Sequence, residues 1–304
     1  MTHFQPQAAS FNMSGRDLLL IIVVCLVWAF NFVVGARGMQ QFSPFVFMVL
    51  RFGIVLLVLA PFLRLPPPGQ WLRLVSVCLF IGALHFTALF VALGRSEDVS
   101  SIVIIQHTYI PMAVVLAMLL LGERAGWRTL VATLVSFAGV FVIGFDPLVL
   151  QQLDVLGIML LSALFQAMGS IYQRGIRGVG VLNFQAWTAV ISLPVMLAAS
   201  LLTEQGQLEM IRTAGWVDWS SIFYSALLAS ILGHGLFFYL VQRHPVTAIM
   251  PYLQLTPLFG VLFGILVWGD RPGWRLYIGG AVVLMGILII TLRARKKMVM
   301  RKAT

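Results

Sequence analysis

Leu121-Gly122-Glu123-Arg124-Ala125-Gly126-Trp127-Arg128 is echoed later in the chain by Trp268-Gly269-Asp270-Arg271-Pro272-Gly273-Trp274-Arg275. Arg124 and Arg271, Trp127 and Trp274, and Arg128 and Arg275 each stand 147 residues apart. The same offset carries Gly139 onto Gly286 and Val99 onto Val246. Both copies sit in a polar gap between two long apolar runs. The match therefore marks equivalent joints in two halves of one chain.

Working outward from these joints, the apolar runs cover 17–36, 44–63, 71–94, 99–121 and 127–145 in the first half. In the second half they cover 155–173, 181–202, 219–241, 246–268 and 274–292. Each is close to the roughly 20 residues that a helix needs to cross a bilayer. The chain of 304 residues is 60% hydrophobic and only 10% charged, with a mean hydropathy of +0.98. A water-soluble domain of this length would need far more charge on its surface. All ten Asp and Glu fall in gaps or at helix ends, as do all Lys and Arg except Arg51. A charge at the bilayer centre is expensive, so this distribution supports the segmentation. The first run is too long for a signal-peptide core and is read as a spanning helix. The gap from 203 to 218 is long enough for a surface loop or a short interfacial helix.

Five crossings separate the two joints, and five is odd, so they face opposite sides of the membrane. The expected fold is all-α and integral to the membrane: ten spanning helices in two inverted-topology repeats of five. The units are an N-terminal tail (1–16), a first repeat (17–146), a second repeat (154–292) and a basic tail (293–304). With the N-terminus in the cytoplasm, inside segments hold 14 Lys and Arg and outside segments 5. The positive-inside rule then places both termini in the cytoplasm. The net charge of +10 lies in short gaps and the C-terminal tail, which argues for headgroup contacts and against nucleic-acid binding. Cys25 and Cys78 lie within apolar runs and imply no disulfide framework.

Four motifs carry a resemblance to the drug/metabolite transporter superfamily, in its ten-helix EamA-type branch. They are Trp28-Ala29-Phe30-Asn31-Phe32, Arg51-Phe52, Pro111 with Leu121-Gly122-Glu123-Arg124, and Pro257 with Gly269-Asp270-Arg271. Their order and spacing cover nearly the whole chain. The resemblance implies an exporter of amino acids, aromatic ones included, and related metabolites in a bacterial inner membrane. The sequence departs from it in Asp270, where Glu is common, and in Ala167-Met168-Gly169-Ser170, where a Trp-Ala pair is common.

A carrier needs polar groups at mid-membrane facing a cavity between its halves. The candidates are His85, Gln106, His107, Tyr109, Trp28, Asn31, Trp187, His234, Tyr252 and Gln254. The three histidines could line a cavity or take up a proton; a neutral histidine bonded to a backbone carbonyl is the simpler alternative. Pro111 and Pro257 remove backbone hydrogen bonds in the fourth and ninth helices and are read as gating kinks. Arg51 has two readings, a counter-charge for an anionic substrate group or a structural arginine snorkelling to the interface. Small residues in the fifth and tenth helices (Ala132, Ser136, Gly139, Gly279, Gly280, Gly286) allow close packing and could serve a homodimer.

The sequence has no Walker A loop, no His-Glu-x-x-His metal site and no nucleophile elbow, so no cofactor, metal or catalytic residue is expected. With no carboxylate inside a span, a facilitative carrier driven by the substrate gradient is expected, its partners being a small solute and the lipid bilayer. A multidrug or other metabolite carrier, proton-coupled through histidine, is the alternative within this class. An intramembrane enzyme is the rival from another class.

Overall fold

The computed structural model describes residues 14–122, 126–173, 175–176, 178–243, 252–253 and 255–303. Among these the regular structure is helical throughout, with no strand. Seven helices are long and apolar enough to cross a membrane: α1 (Gly15–Gly38), α2 (Pro44–Phe62), α3 (Trp71–Arg95), α4 (Val99–Leu120), α6 (Leu153–Gln173), α7 (Val181–Thr203) and α8 (Trp216–Phe237). Three shorter apolar helices are found among the described residues: α5 (Trp127–Ile143), α9 (Leu255–Trp268) and α10 (Trp274–Ile290), the last continuing as helix to Ala303. A short helix, Gln207–Thr213, occupies the long connection after α7. Helix α8 begins at Trp216, three residues ahead of the expected start, because Asp218 folds back onto the Gly215 amide at 2.9 Å and starts the helix there.

Large apolar side chains face outward as well as inward. Leu72 is 82% exposed and Leu202 85% exposed. Helices apolar on all sides suit a lipid environment, where such surface costs nothing. The chain is a multi-pass membrane protein.

The connections sort to two ends of the bundle. At one end, Gln41 donates to the Met210 carbonyl, and the Phe45 and Val46 amides donate to Glu204. Arg95 pairs with Asp154 there at 3.6 Å, and the Val99 amide donates to Asp270. At the other end, the Trp187 indole donates to the Arg64 carbonyl and Arg73 donates to the Gly175 carbonyl. Connections after odd-numbered helices thus gather at the Asp98 end, and those after α2 and α6 at the Arg64 end.

The quoted joints fold alike. Gly122 and Gly269 both take the left-handed conformation, at φ 63° and 88°, which only glycine adopts without strain. Arg128 lies over the Trp127 ring at 5.2 Å, and Arg275 over the Trp274 ring at 5.0 Å. Helices α5 and α10 are the most intimate pair in the molecule. A Cβ on Gly139 would stand 2.6 Å from the Gly279 carbonyl oxygen and 2.7 Å from the Val283 nitrogen. A Cβ on Gly286 would stand 2.7 Å from the Ala132 oxygen and 2.9 Å from the Ser136 nitrogen. Ala132 shifted by 147 is Gly279, Ser136 is Val283 and Gly139 is Gly286. The two contacts are one contact with the helices exchanged, which is what a two-fold relation between antiparallel helices requires. Ala132, Ser136, Gly139, Gly279 and Gly286 are thus used within the chain at the α5–α10 contact, whereas Gly280 faces Ile104 of α4.

Candidate functional site

Two polar groups lie inside the bundle. The first joins α3, α4 and α6. His85 closes a π-helical stretch, Cys78–His85, and its Nδ1 lies 2.8 Å from the Ser162 hydroxyl. Ser162 also lies 3.1 Å from the His85 carbonyl oxygen and 3.2 Å from Gln106 Oε1. Gln106 in turn donates through Nε2 to Gln166 Oε1. His85, Ser162 and Gln106 are buried. In a lipid-surrounded core such groups persist only when they satisfy one another, and a connected chain spanning three helices does this.

Gln106 ends the first part of α4. The helix is interrupted at His107 and Thr108 and resumes at Tyr109. Pro111 has no amide to give the His107 carbonyl, and that oxygen instead accepts from Ile110 at 3.2 Å. The proline thus tightens the turn that presents Gln106 to α6.

The second group joins α1, α2 and α8. Here too a π-helical stretch, Tyr224–Gly233, rearranges the backbone. Its Ala229 carbonyl accepts from the Trp28 indole at 3.2 Å and lies 3.0 Å from His234 Nδ1. The Trp28 and His234 rings are 4.9 Å apart. Asn31 accepts from the Ser225 hydroxyl at 2.7 Å. π-stretches are often found at functional sites, and those of α3 and α8 occupy corresponding helices of the two halves.

Arg51 ties the two groups together. It is 1% exposed, so its guanidinium is enclosed and does not snorkel to an interface. Nε and Nη2 donate to the Ser230 hydroxyl at 3.0 and 2.9 Å. Its Cζ lies 4.4 Å from the centre of the Phe86 ring, which neighbours His85. Nη1 has no hydrogen-bond partner among the described residues, and no carboxylate pairs with the cation there. A buried charge held only by a hydroxyl and aromatic faces leaves much of its desolvation cost uncompensated.

The remaining candidates lie elsewhere. The Trp187 ring packs edge-on against Trp71 at 4.8 Å, at the Arg64 end. The His107 ring turns back on its own helix, with Nδ1 2.8 Å from the Val103 carbonyl oxygen, and stands 6.3 Å from the Tyr109 ring. The Tyr252 carbonyl accepts from Cys25, and the residue packs with Trp28 and Phe259 in a small apolar cluster. Pro257 is buried in α9, whereas Gln254 lies outside the described residues. The sequence reading missed Ser162, Ser230 and Phe86. Ser162 had a legible signal, since Ser162, Gln166 and Ser170 recur every four residues and form one polar stripe on α6.

Comparison with known proteins accords with this arrangement. The protein named "Probable amino-acid metabolite efflux pump" of Escherichia coli strain K12 is 29% identical over 288 residues, covering 91% of this chain and 95% of that one. The "Biotin transporter" of the same strain is 23% identical over 279 residues, covering 89% and 91%. A solved crystal structure shares the fold with a TM-score of 0.61 at 17% identity, over 93% of this chain and 99% of the other. The model of the EamA-like transporter family matches twice, at residues 16–145 and 155–292, dividing the chain where the 147-residue offset divides it. With nearly every residue of the bundle inside one of those two matches, the chain belongs to the EamA-like transporter family, a membrane transporter by descent as well as by build.

Proposed function

We propose that this protein exports amino acids, above all those with apolar or aromatic side chains, and related carboxylate metabolites across a bacterial inner membrane by alternating access. Ten spans form two inverted halves, with both termini in the cytoplasm. Eight of the ten acidic residues then belong to the outer, Asp98 end, and the Lys/Arg-rich segments to the inside. The homologue named as an amino-acid metabolite efflux pump supports the substrate class. A homodimer through α5 and α10 would use their outward residues, such as Leu134, Phe141, Ile278 and Met285, which are exposed.

Arg51 is the observation that carries the substrate reading. A buried guanidinium with a donor to spare and no acidic partner among the described residues suits a carboxylate, which accepts a fork of N–H groups. Phe86 lies against it, and Trp28, His234 and Phe237 form an aromatic cluster on the neighbouring α1 and α8. Asp and Glu stand only in the connections and in the terminal turns of the spans, so the downhill gradient of the substrate itself drives export.

The biotin transporter among the homologues motivates a second reading, because biotin too is a carboxylate on a largely apolar body. Counterflow in liposomes containing only this protein separates the two. Preloaded phenylalanine, leucine or tryptophan should drive uptake of labelled amino acid, and biotin should not compete. Competition by biotin with no amino-acid exchange would replace the substrate class, and release of a chemically altered product without flux would indicate an enzyme. His85→Ala and Gln106→Ala should each lower exchange several-fold at unchanged membrane insertion. Unchanged exchange in both would remove these residues from the path.

A further inference from the structure

The outer end holds a cavity of about 290 Å³ that the substrate path described above does not use. It is lined by Ile102, Ile105, Val155 and Leu156 together with Glu97, Asp98, Asp270 and Arg271. Two carboxylates meet there on the N-terminus of α4. Asp98 accepts from the Ser100 amide at 3.1 Å, the Ser101 amide at 2.9 Å and the Ser101 hydroxyl. Asp270 reaches over from the second half and accepts from the Val99 amide at 3.3 Å, the Ser100 amide at 2.8 Å and the Ser100 hydroxyl at 2.6 Å. The Ser100 amide is shared, so the two carboxylates stand side by side. Asp98 alone would cap this helix adequately. Asp270 adds a bond between the halves at the place where an outward-opening carrier must part.

We propose that Asp270 is the residue that closes the outer gate, and that a proton taken up by Asp98 beside it favours the closed state. This rests on the alternating-access reading above. The other charged groups facing the pair are Glu97 on the same connection and Arg271 beside Asp270. Asp146 lies against Gly273, and Arg95 is engaged with Asp154. Burial and the neighbouring Asp270 push Asp98 up to about 6 in the clasped state, against the helix amides that favour its anion. When the gate opens, Asp98 loses the neighbouring carboxylate and regains water, and returns toward its ordinary value of about 3.9. Closure therefore takes up a proton. The closed state is favoured as pH falls below about 6, and that contribution is lost as pH rises above it. Between pH 8 and pH 5 the closed-to-open ratio should rise about tenfold.

An Ile105→Cys variant reads this directly, since Ile105 lines the cavity and is buried in the clasped state. Cells or proteoliposomes are treated from outside with a membrane-impermeant thiol reagent at pH 5 and pH 8. Rates are normalised to those of a Gln205→Cys variant, whose cysteine replaces an exposed loop residue. The normalised rate should be about tenfold higher at pH 8. Added to Ile105→Cys, Asp270→Asn should give fast labelling at both values, and Asp270→Glu should restore the dependence. Asp98→Asn keeps the helix cap and should give slow labelling at both. Glu204→Gln, which loosens the separate clasp on α2, should leave the dependence intact. A flat normalised rate in the parent, or a dependence that survives Asp98→Asn, overturns the proposal. Flux assays on the same samples separate the two readings: gated labelling without flux refutes transport alone, and flux with flat labelling refutes the gate alone.

Discussion

Arg51→Ala is expected to weaken apparent affinity for amino-acid substrates by about 100-fold, with little loss of folded protein. Truncating one partner of a buried, hydrogen-bonded charge pair costs about 2–5 kcal/mol, and the pair here would be Arg51 with the substrate carboxylate. Protein stability should change little, because the guanidinium has no acidic partner to orphan among the described residues and Ser230 keeps its bond to the Ser225 carbonyl. Arg51→Lys should recover only part of the affinity, because a lysine offers a point charge in place of a fork. A merely structural role is told apart by esterified amino acids, which lack the carboxylate: wild type and Arg51→Ala should then bind equally weakly. Counterflow measured over a concentration range checks both. Exchange of free amino acids by Arg51→Ala within twofold of wild type would make Arg51 a structural residue.

The second large effect is on the fold itself. Gly139→Leu and Gly286→Leu should each prevent assembly or lower stability by about 3 kcal/mol or more. At both positions the added carbon meets backbone atoms of the partner helix at 2.6–2.9 Å, and backbone in a packed helix cannot step aside. The two variants should be equally damaging, since each breaks the same contact seen from opposite halves. Gly280→Ala is the contrast: its new methyl meets the tip of Ile104 at 2.7 Å, a flexible side chain, and should cost less than about 1 kcal/mol. Melting midpoints in detergent decide this. Gly139→Leu as stable as Gly280→Ala would mean that the α5–α10 contact does not hold the halves together.

These two cases show what a sequence displays and what it hides. The 147-residue offset is visible because it repeats residue types, but that α5 packs on α10, with Ser136 3.4 Å from the Val283 carbonyl oxygen, is seen only in the structure. The spans were visible because lipid forbids unpaired charge. Rotation about a helix axis was not. Trp187 and His85 read alike as polar-tipped rings in apolar runs, yet one stacks on Trp71 at the bundle end and the other binds Ser162 in the core. The π-stretches Cys78–His85 and Tyr224–Gly233 contain no proline and no other local signal. They are set by packing, and the second decides where the Ala229 carbonyl that holds Trp28 and His234 is found. The Asp270 clasp on α4 joins residues about 170 positions apart, which no local pattern can announce. Asp270 was legible as half of a repeat and illegible as a gate.

All of this depends on the two halves lying in opposite senses across the bilayer. Single cysteines at Gly126 and Arg271 test it most directly, in a chain whose own Cys25 and Cys78 are buried. Both positions are exposed, and a side chain at Gly126 meets nothing within 4 Å. Gly126→Cys should react with an impermeant thiol reagent only after the cytoplasmic face is opened to it, and Arg271→Cys should react in intact cells. Reaction of both from the same side would contradict the inverted repeat and the transport mechanism built on it.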